Sequence, residues 1–251
     1  MKLLKMETIY KQENELFAQW QEQYVKDGIS DFCYDGLIFN GEIINNGYNS
    51  KTGNQEEVLK NTKRRVLFFM KEPNGNADED YREWNLTGYS SSIFFKFIYS
   101  WLNGLCFIKA GSTYPELRNE RNLNLPLIIV NAKKQAGTAV ANNNVVYDFA
   151  FKYKSYLRAQ FDIYSPNIIV CGGGPINGKQ EVMMLSIVKD LIYDDIEFTQ
   201  MECSDWIWYN VEQKIVLINS NHPSAIKSDE SKYNWMMEAF QTFLNNNIFP
   251  I

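Results

Sequence analysis

Four short stretches of the chain are almost continuously apolar and rich in β-branched or aromatic residues: Val66 to Met70, Leu127 to Val130, Ile168 to Cys171 and Ile215 to Ile218. A strand that alternates apolar and polar residues keeps one face in water, whereas an unbroken apolar run suits a parallel strand covered on both faces. The four runs therefore predict the buried strands of a parallel sheet. Between them the spacing becomes helical. Ile93, Phe94, Phe97, Ile98, Trp101 and Leu102 mark one helix, and Val145, Phe149, Tyr153 and Leu157 mark a second at four-residue steps. Met184, Leu185, Val188, Leu191 and Ile192 mark a third, and Met236, Met237, Phe240, Phe243 and Leu244 a fourth. A further helix is predicted over Glu13 to Val25. Alternating strands and helices imply βαβ units with right-handed crossovers. The expectation is an α/β fold, a three-layer α/β/α sandwich around a central, mostly parallel four-stranded sheet.

Two stretches fit this rhythm less well. Residues 31–57, which include DGLIFNGEIINNGYN, are full of Gly and Asn and suggest an extended arm or a small hairpin before the first core strand. Trp206 to Tyr209, followed by a polar turn through Gln213, suit an antiparallel partner of the last strand. With no internal repeat or linker, the reading is one domain over residues 1–251, an N-terminal helix and arm in 1–60 and the core in 61–251.

Composition narrows the classes. At 251 residues, 45% hydrophobic and 15% aromatic, the chain can bury one large core. It has no apolar run long enough to span a bilayer, and Met1 to Tyr10 lack the features of a signal peptide, so the expectation is a cytoplasmic protein with no membrane partner. The four cysteines are far apart and only one histidine could join them, which argues for reduced thiols and against a metal or other cofactor. A net charge of −5 excludes bulk electrostatic coating of nucleic acid and leaves room only for a local basic patch. Lys60, Lys63, Arg64 and Arg65 read as a solvated face, while Lys71, Lys133, Lys134 and Lys227 sit beside the strand ends.

In open parallel sheets, ligands bind beyond the carboxyl ends of the strands. There the chain reads Lys71-Glu72-Pro73-Asn74, then Asn131-Ala132-Lys133-Lys134, then Cys171-Gly172-Gly173-Gly174, and last Asn219-Ser220-Asn221-His222-Pro223-Ser224. Each has a plain structural explanation alone. Prolines stop strands, glycines permit tight turns, an Asn caps a turn, and a lone His is more often structural than catalytic. The glycines lack the Lys-Ser/Thr ending of a phosphate loop and the full spacing of a dinucleotide site.

Taken together, Glu72-Pro73, Asn131, Gly172 and His222-Pro223-Ser224 resemble the uracil-DNA glycosylase superfamily, in which motifs of these types follow four strands in this order. The resemblance covers residues 60–245 and implies a uracil-DNA glycosylase-like fold. It implies that Glu72 positions or activates water, that Asn131 reads the polar edge of the base, and that His222 hydrogen-bonds the base as negative charge develops. It also implies an apolar wedge near Ile226, and suggests Trp84 or Tyr81 as an aromatic platform. Lys71, Pro73, Asn74, Gly172, Ser224 and Lys133 complete the substrate-binding set, with Lys133, Lys134 and Lys227 as a rim for the phosphates of a DNA partner. Lys71 before Glu72 and Asn74 after Pro73 depart from well-studied members.

The residue types suit such chemistry independently. Cleaving a glycosidic bond to a base puts positive charge on the sugar and negative charge on the base, so a carboxylate and hydrogen-bond donors stabilise the two ends. A base inside duplex DNA must first be extruded, which calls for a wedge. The leading expectation is a DNA glycosylase acting on a damaged or modified base, uracil being the simplest. The alternatives are an inactive binder of nucleotide or nucleic acid with the same fold, and a hydrolase of small nucleosides or nucleotides.

Overall fold

A computed structural model describes residues 8–38, 55–83, 92–137, 141–173, 183–224 and 228–251. The chain runs α1 (Ile9–Lys26), β1 (Gly36–Leu37), α2 (Gln55–Asn61), β2 (Val66–Met70), α3 (Ile93–Phe107), β3 (Ile128–Asn131), α4 (Asn143–Lys152) and α5 (Lys154–Tyr164). It continues through β4 (Ile168–Gly172), α6 (Met183–Ser186), a π-helical segment (Ile187–Ile192), β5 (Thr199–Gln200), β6 (Ile207–Asn210), β7 (Ile215–Ser220) and α7 (Asp229–Asn245).

The sheet has seven strands in the order β1-β3-β2-β4-β7-β6-β5, in place of the four expected. The four apolar runs form its centre and are mutually parallel. The additions are antiparallel edges. On one side β1 pairs with β3, Gly36 opposite Ile129. On the other, β6 pairs with β7 over the Trp206 to Tyr209 region, and the two-residue β5 pairs with β6. β6 is the antiparallel partner expected at Trp206 to Tyr209, whereas β1 and β5, two residues each, are too short to show a period.

Alternate residues of the central strands feed two cores. Leu67, Phe69, Val130, Ile169 and Leu217 pack with Phe17, Trp20, Tyr24, Leu157 and Phe161 of α1 and α5. Val66, Phe68, Met70, Val170 and Ile218 pack with Phe97, Trp101, Met236 and Phe240 of α3 and α7. Burial on both faces is why these runs do not alternate in sequence. From β2 the chain passes to α3 on one face, and from β3 to α4 on the other, so the carboxyl ends of these paired neighbours part and leave a crevice.

Local signals explain the helix limits. Thr8 caps α1 by accepting from the Lys11 amide, and Ser228 caps α7 by accepting from the Ser231 amide, with Asp229 and Glu230 in the first turn. The single helix expected through Val145, Phe149, Tyr153 and Leu157 is instead two. Tyr153 leaves helical geometry at φ −111° and ψ 22°, and its hydroxyl donates to Asp27 at the end of α1. The break shifts the buried stripe of α4 by one residue, to Val146 and Ala150. The third expected helix widens into π geometry, where the Tyr193 amide donates to the Val188 carbonyl five residues back.

Candidate active site at the carboxyl ends of the strands

The end of β3 and the loops after β2 and β7 border a cavity of about 230 Å³ lined by Glu72, Pro73, Asn74, Asn131, His222 and Ser224, all of them sequence-derived candidates. The parallel ladder extends one step past β2 and β3, with Ala132 donating to the Met70 carbonyl at 2.8 Å and Lys133 to that of Lys71 at 3.0 Å. This extension holds Glu72 and Lys133 side by side.

Lys133 Nζ donates to Glu72 Oε2 at 2.7 Å, and both side chains are about nine-tenths buried, 11% and 7% exposed. In so dry a place an unpaired charge would be costly, so the two side chains are tolerated there as a pair. The neighbouring Gly137 leaves room for the acid: a Cβ on it would lie 2.2 Å from the Glu72 carboxyl carbon. Lys71 is half-buried and its ammonium is depressed by burial, with Glu72 pulling the other way.

Asn131 ends β3, and its orientation comes from a residue without a sequence signal. Asp35, 1% exposed, accepts the Asn131 backbone N–H at 2.8 Å and its side-chain Nδ2 at 3.0 Å, both on Oδ2. Asp35 Oδ1 takes Lys134 Nζ and Gln160 Nε2. Four donors thus surround a carboxylate on the arm whose role the sequence left open. Glu13 supports the arm from below by accepting from the Leu37 amide at 3.1 Å, Tyr164 Oη at 2.6 Å and Arg82 Nη1 at 3.2 Å. Burial pushes the Glu13 carboxyl up to about 7 against the opposing pull of Arg82, Tyr164 and the Leu37 amide.

His222 Nδ1 accepts the Ser224 backbone N–H at 3.1 Å, so the neutral ring carries its proton on Nε2. Burial first, and then the Lys71 and Lys232 charges, bring its pKa down to about 4. The imidazole is therefore neutral at physiological pH and offers an N–H. Phe94 lies against it with ring centroids 5.7 Å apart and planes inclined by 38°. Phe94, Phe95, Tyr81 and Asp35 also line the cavity. In the sequence Phe94 reads only as part of the apolar face of α3, and Phe95 lies off that spacing.

Several expectations are corrected. Lys134 is fully buried against Asp35 and Lys133 is turned onto Glu72, so neither forms a basic rim. Both side chains point inward because each neutralises a buried acid. Gly172 is not in the cavity wall: a Cβ there would lie 2.6 Å from the end of Met70, so the glycine makes space for that side chain. Lys71 is likewise outside the wall. Trp84, Ile226 and Lys227 lie outside the described residues.

No protein-family model matches the chain, and no curated protein is found similar to it. Among the described residues no three His, Cys, Asp or Glu side chains gather as metal ligands would, and no helix is long and apolar enough to cross a membrane.

Proposed function

We propose that the chain hydrolyses the N-glycosidic bond of an altered base in DNA, the activity implied by its resemblance to the uracil-DNA glycosylase superfamily. The observation that carries the proposal is the meeting, in one small cavity, of Glu72 paired with Lys133, an oriented Asn131 amide and a neutral His222 from the ends of three different strands. A volume of about 230 Å³ suits a single base better than a larger ligand, for which roughly 300 Å³ is the usual lower bound.

Each group has a task in such a reaction. Leaving-group departure makes the sugar cationic and the base anionic. Glu72, held in place by Lys133, stabilises the sugar and orients water towards it. His222 donates from Nε2 to the base oxygen on which charge grows, and a neutral donor does so without first protonating the base. A preorganised donor of this kind contributes about 3 kcal/mol, or roughly a hundredfold in rate. Asn131 pairs with the polar edge of the base while Phe94 and Phe95 provide an apolar wall.

A second reading, cleavage of a free nucleoside, is favoured by the inward direction of Lys133 and Lys134, which removes two of the cations that a DNA backbone would meet. Product analysis separates the two. Uracil- and hypoxanthine-containing oligonucleotides, single- and double-stranded, and the matching free deoxynucleosides are incubated with the protein, and released base is identified by mass. Free base with an abasic strand supports the first reading, and release only from nucleosides supports the second. No release from either substrate class overturns both.

A further inference from the structure

Asp35 is not a bystander to Asn131. A carboxylate only accepts hydrogen bonds, so the face of the Asn131 amide turned to it must be the NH2 side. Asp35 Oδ2 also holds the backbone N–H of Asn131, so the amide proton it takes is the one nearer the main chain. The carbonyl oxygen and the second N–H then share the opposite edge, and Asn131 lines the cavity. Flipping the amide would place its oxygen against the carboxylate. The carboxylate itself cannot turn away, because Lys134 and Gln160 hold its other oxygen, and all three residues are buried.

We propose that Asp35 is a positioning residue that locks the Asn131 amide in one orientation, so that the cavity takes bases presenting an N–H beside a carbonyl and rejects bases presenting a bare ring nitrogen beside an amine. Uracil and hypoxanthine belong to the first class, cytosine and adenine to the second. The inference rests on the reading of Asn131 as the base-contacting amide. A free amide serves either class by rotating through half a turn; a locked one serves only the first when the attached sugar fixes which way the base edge faces. The Gly/Asn-rich arm thereby acquires a role, since it delivers Asp35 to the end of β3 through the pairing of Gly36 and Leu37 with that strand.

The test is the Asp35→Asn variant, which keeps the shape but replaces one acceptor oxygen by an amide that can meet either face of Asn131. Binding of deoxyuridine, deoxycytidine, deoxyinosine and deoxyadenosine, in which the sugar fixes the direction of the base edge, is measured by ligand-observed NMR on parent and variant, with cleavage rates beside it. The uracil-to-cytosine ratio is the readout, because partial unfolding lowers both bases alike and leaves the ratio unchanged. The parent should prefer uracil, and the preference should fall at least about tenfold in the variant. Asp35→Glu, which retains an acceptor, should keep more of it. An unchanged ratio in Asp35→Asn, or a parent that binds both bases equally or neither, overturns the lock. Selective binding without cleavage of any substrate would overturn the glycosylase reading and leave the lock standing.

Discussion

Lys133 and Glu72 are joined at 2.7 Å although 61 residues separate them in the chain, and the pair forms because β2 and β3 are parallel neighbours that end together. Two charges that would each be costly alone become tolerable side by side. Lys133→Met should therefore destabilise the protein by about 3 kcal/mol in urea unfolding, through the carboxylate left unpaired. Adding Glu72→Gln should recover part of that loss, since the two effects are not independent. Additive losses would show that the contact carries no coupling.

The chain has a single histidine, so its imidazole signals need no assignment. An NMR titration should place the His222 midpoint at about 4, with the proton of the neutral ring on Nε2. Because the folded state holds the ring neutral while the unfolded chain takes up a proton near pH 6.5, this group's contribution to stability is complete above 6.5 and is lost as pH falls towards 4. A midpoint near 6.5 would remove the case for a neutral donor.

Gly137→Ala places a methyl group within 2.2 Å of the Glu72 carboxyl carbon. Single-turnover rates should fall about tenfold or more, because a small misplacement of a positioned group is costly. The far end of the Glu72 side chain can shift, so the loss should be in rate more than in melting temperature.

Gly36→Ala should do the reverse. The residue has φ +133°, and a Cβ would lie 2.1 Å from Tyr164 Oη and 2.7 Å from Glu13 Oε1 in the middle of a buried network. Thermal unfolding should show a loss of more than about 2 kcal/mol. A neutral result would mean that the arm is not fixed by these contacts.

The four central strands were legible because burial on both faces leaves an unbroken apolar run. The loops after them were legible too, since the strand ends converge in any such sheet, and Glu72, Asn131 and His222 do meet. Asp35 was not. It lies in a stretch with no period and acts on a residue 96 positions away, a relation that only the β1 to β3 pairing creates. Phe94 was hidden for another reason: a helix face that lines a cavity has the same apolar spacing as one that fills a core, and Phe95 lies off the spacing that marked the helix. Sequence also gives a lysine's charge but not its direction, so Lys133 and Lys134 looked like a rim when they neutralise buried acids.

The most direct measurement is single-turnover release of uracil from a single-stranded oligonucleotide by the parent, Glu72→Gln and His222→Ala, each checked for folding. Base release by the parent, with a loss of about a hundredfold or more in each variant, is the predicted result. Release that survives both substitutions, or a folded parent that releases no base from any altered strand or nucleoside, would contradict the assignment of this cavity as a glycosidic-bond active site.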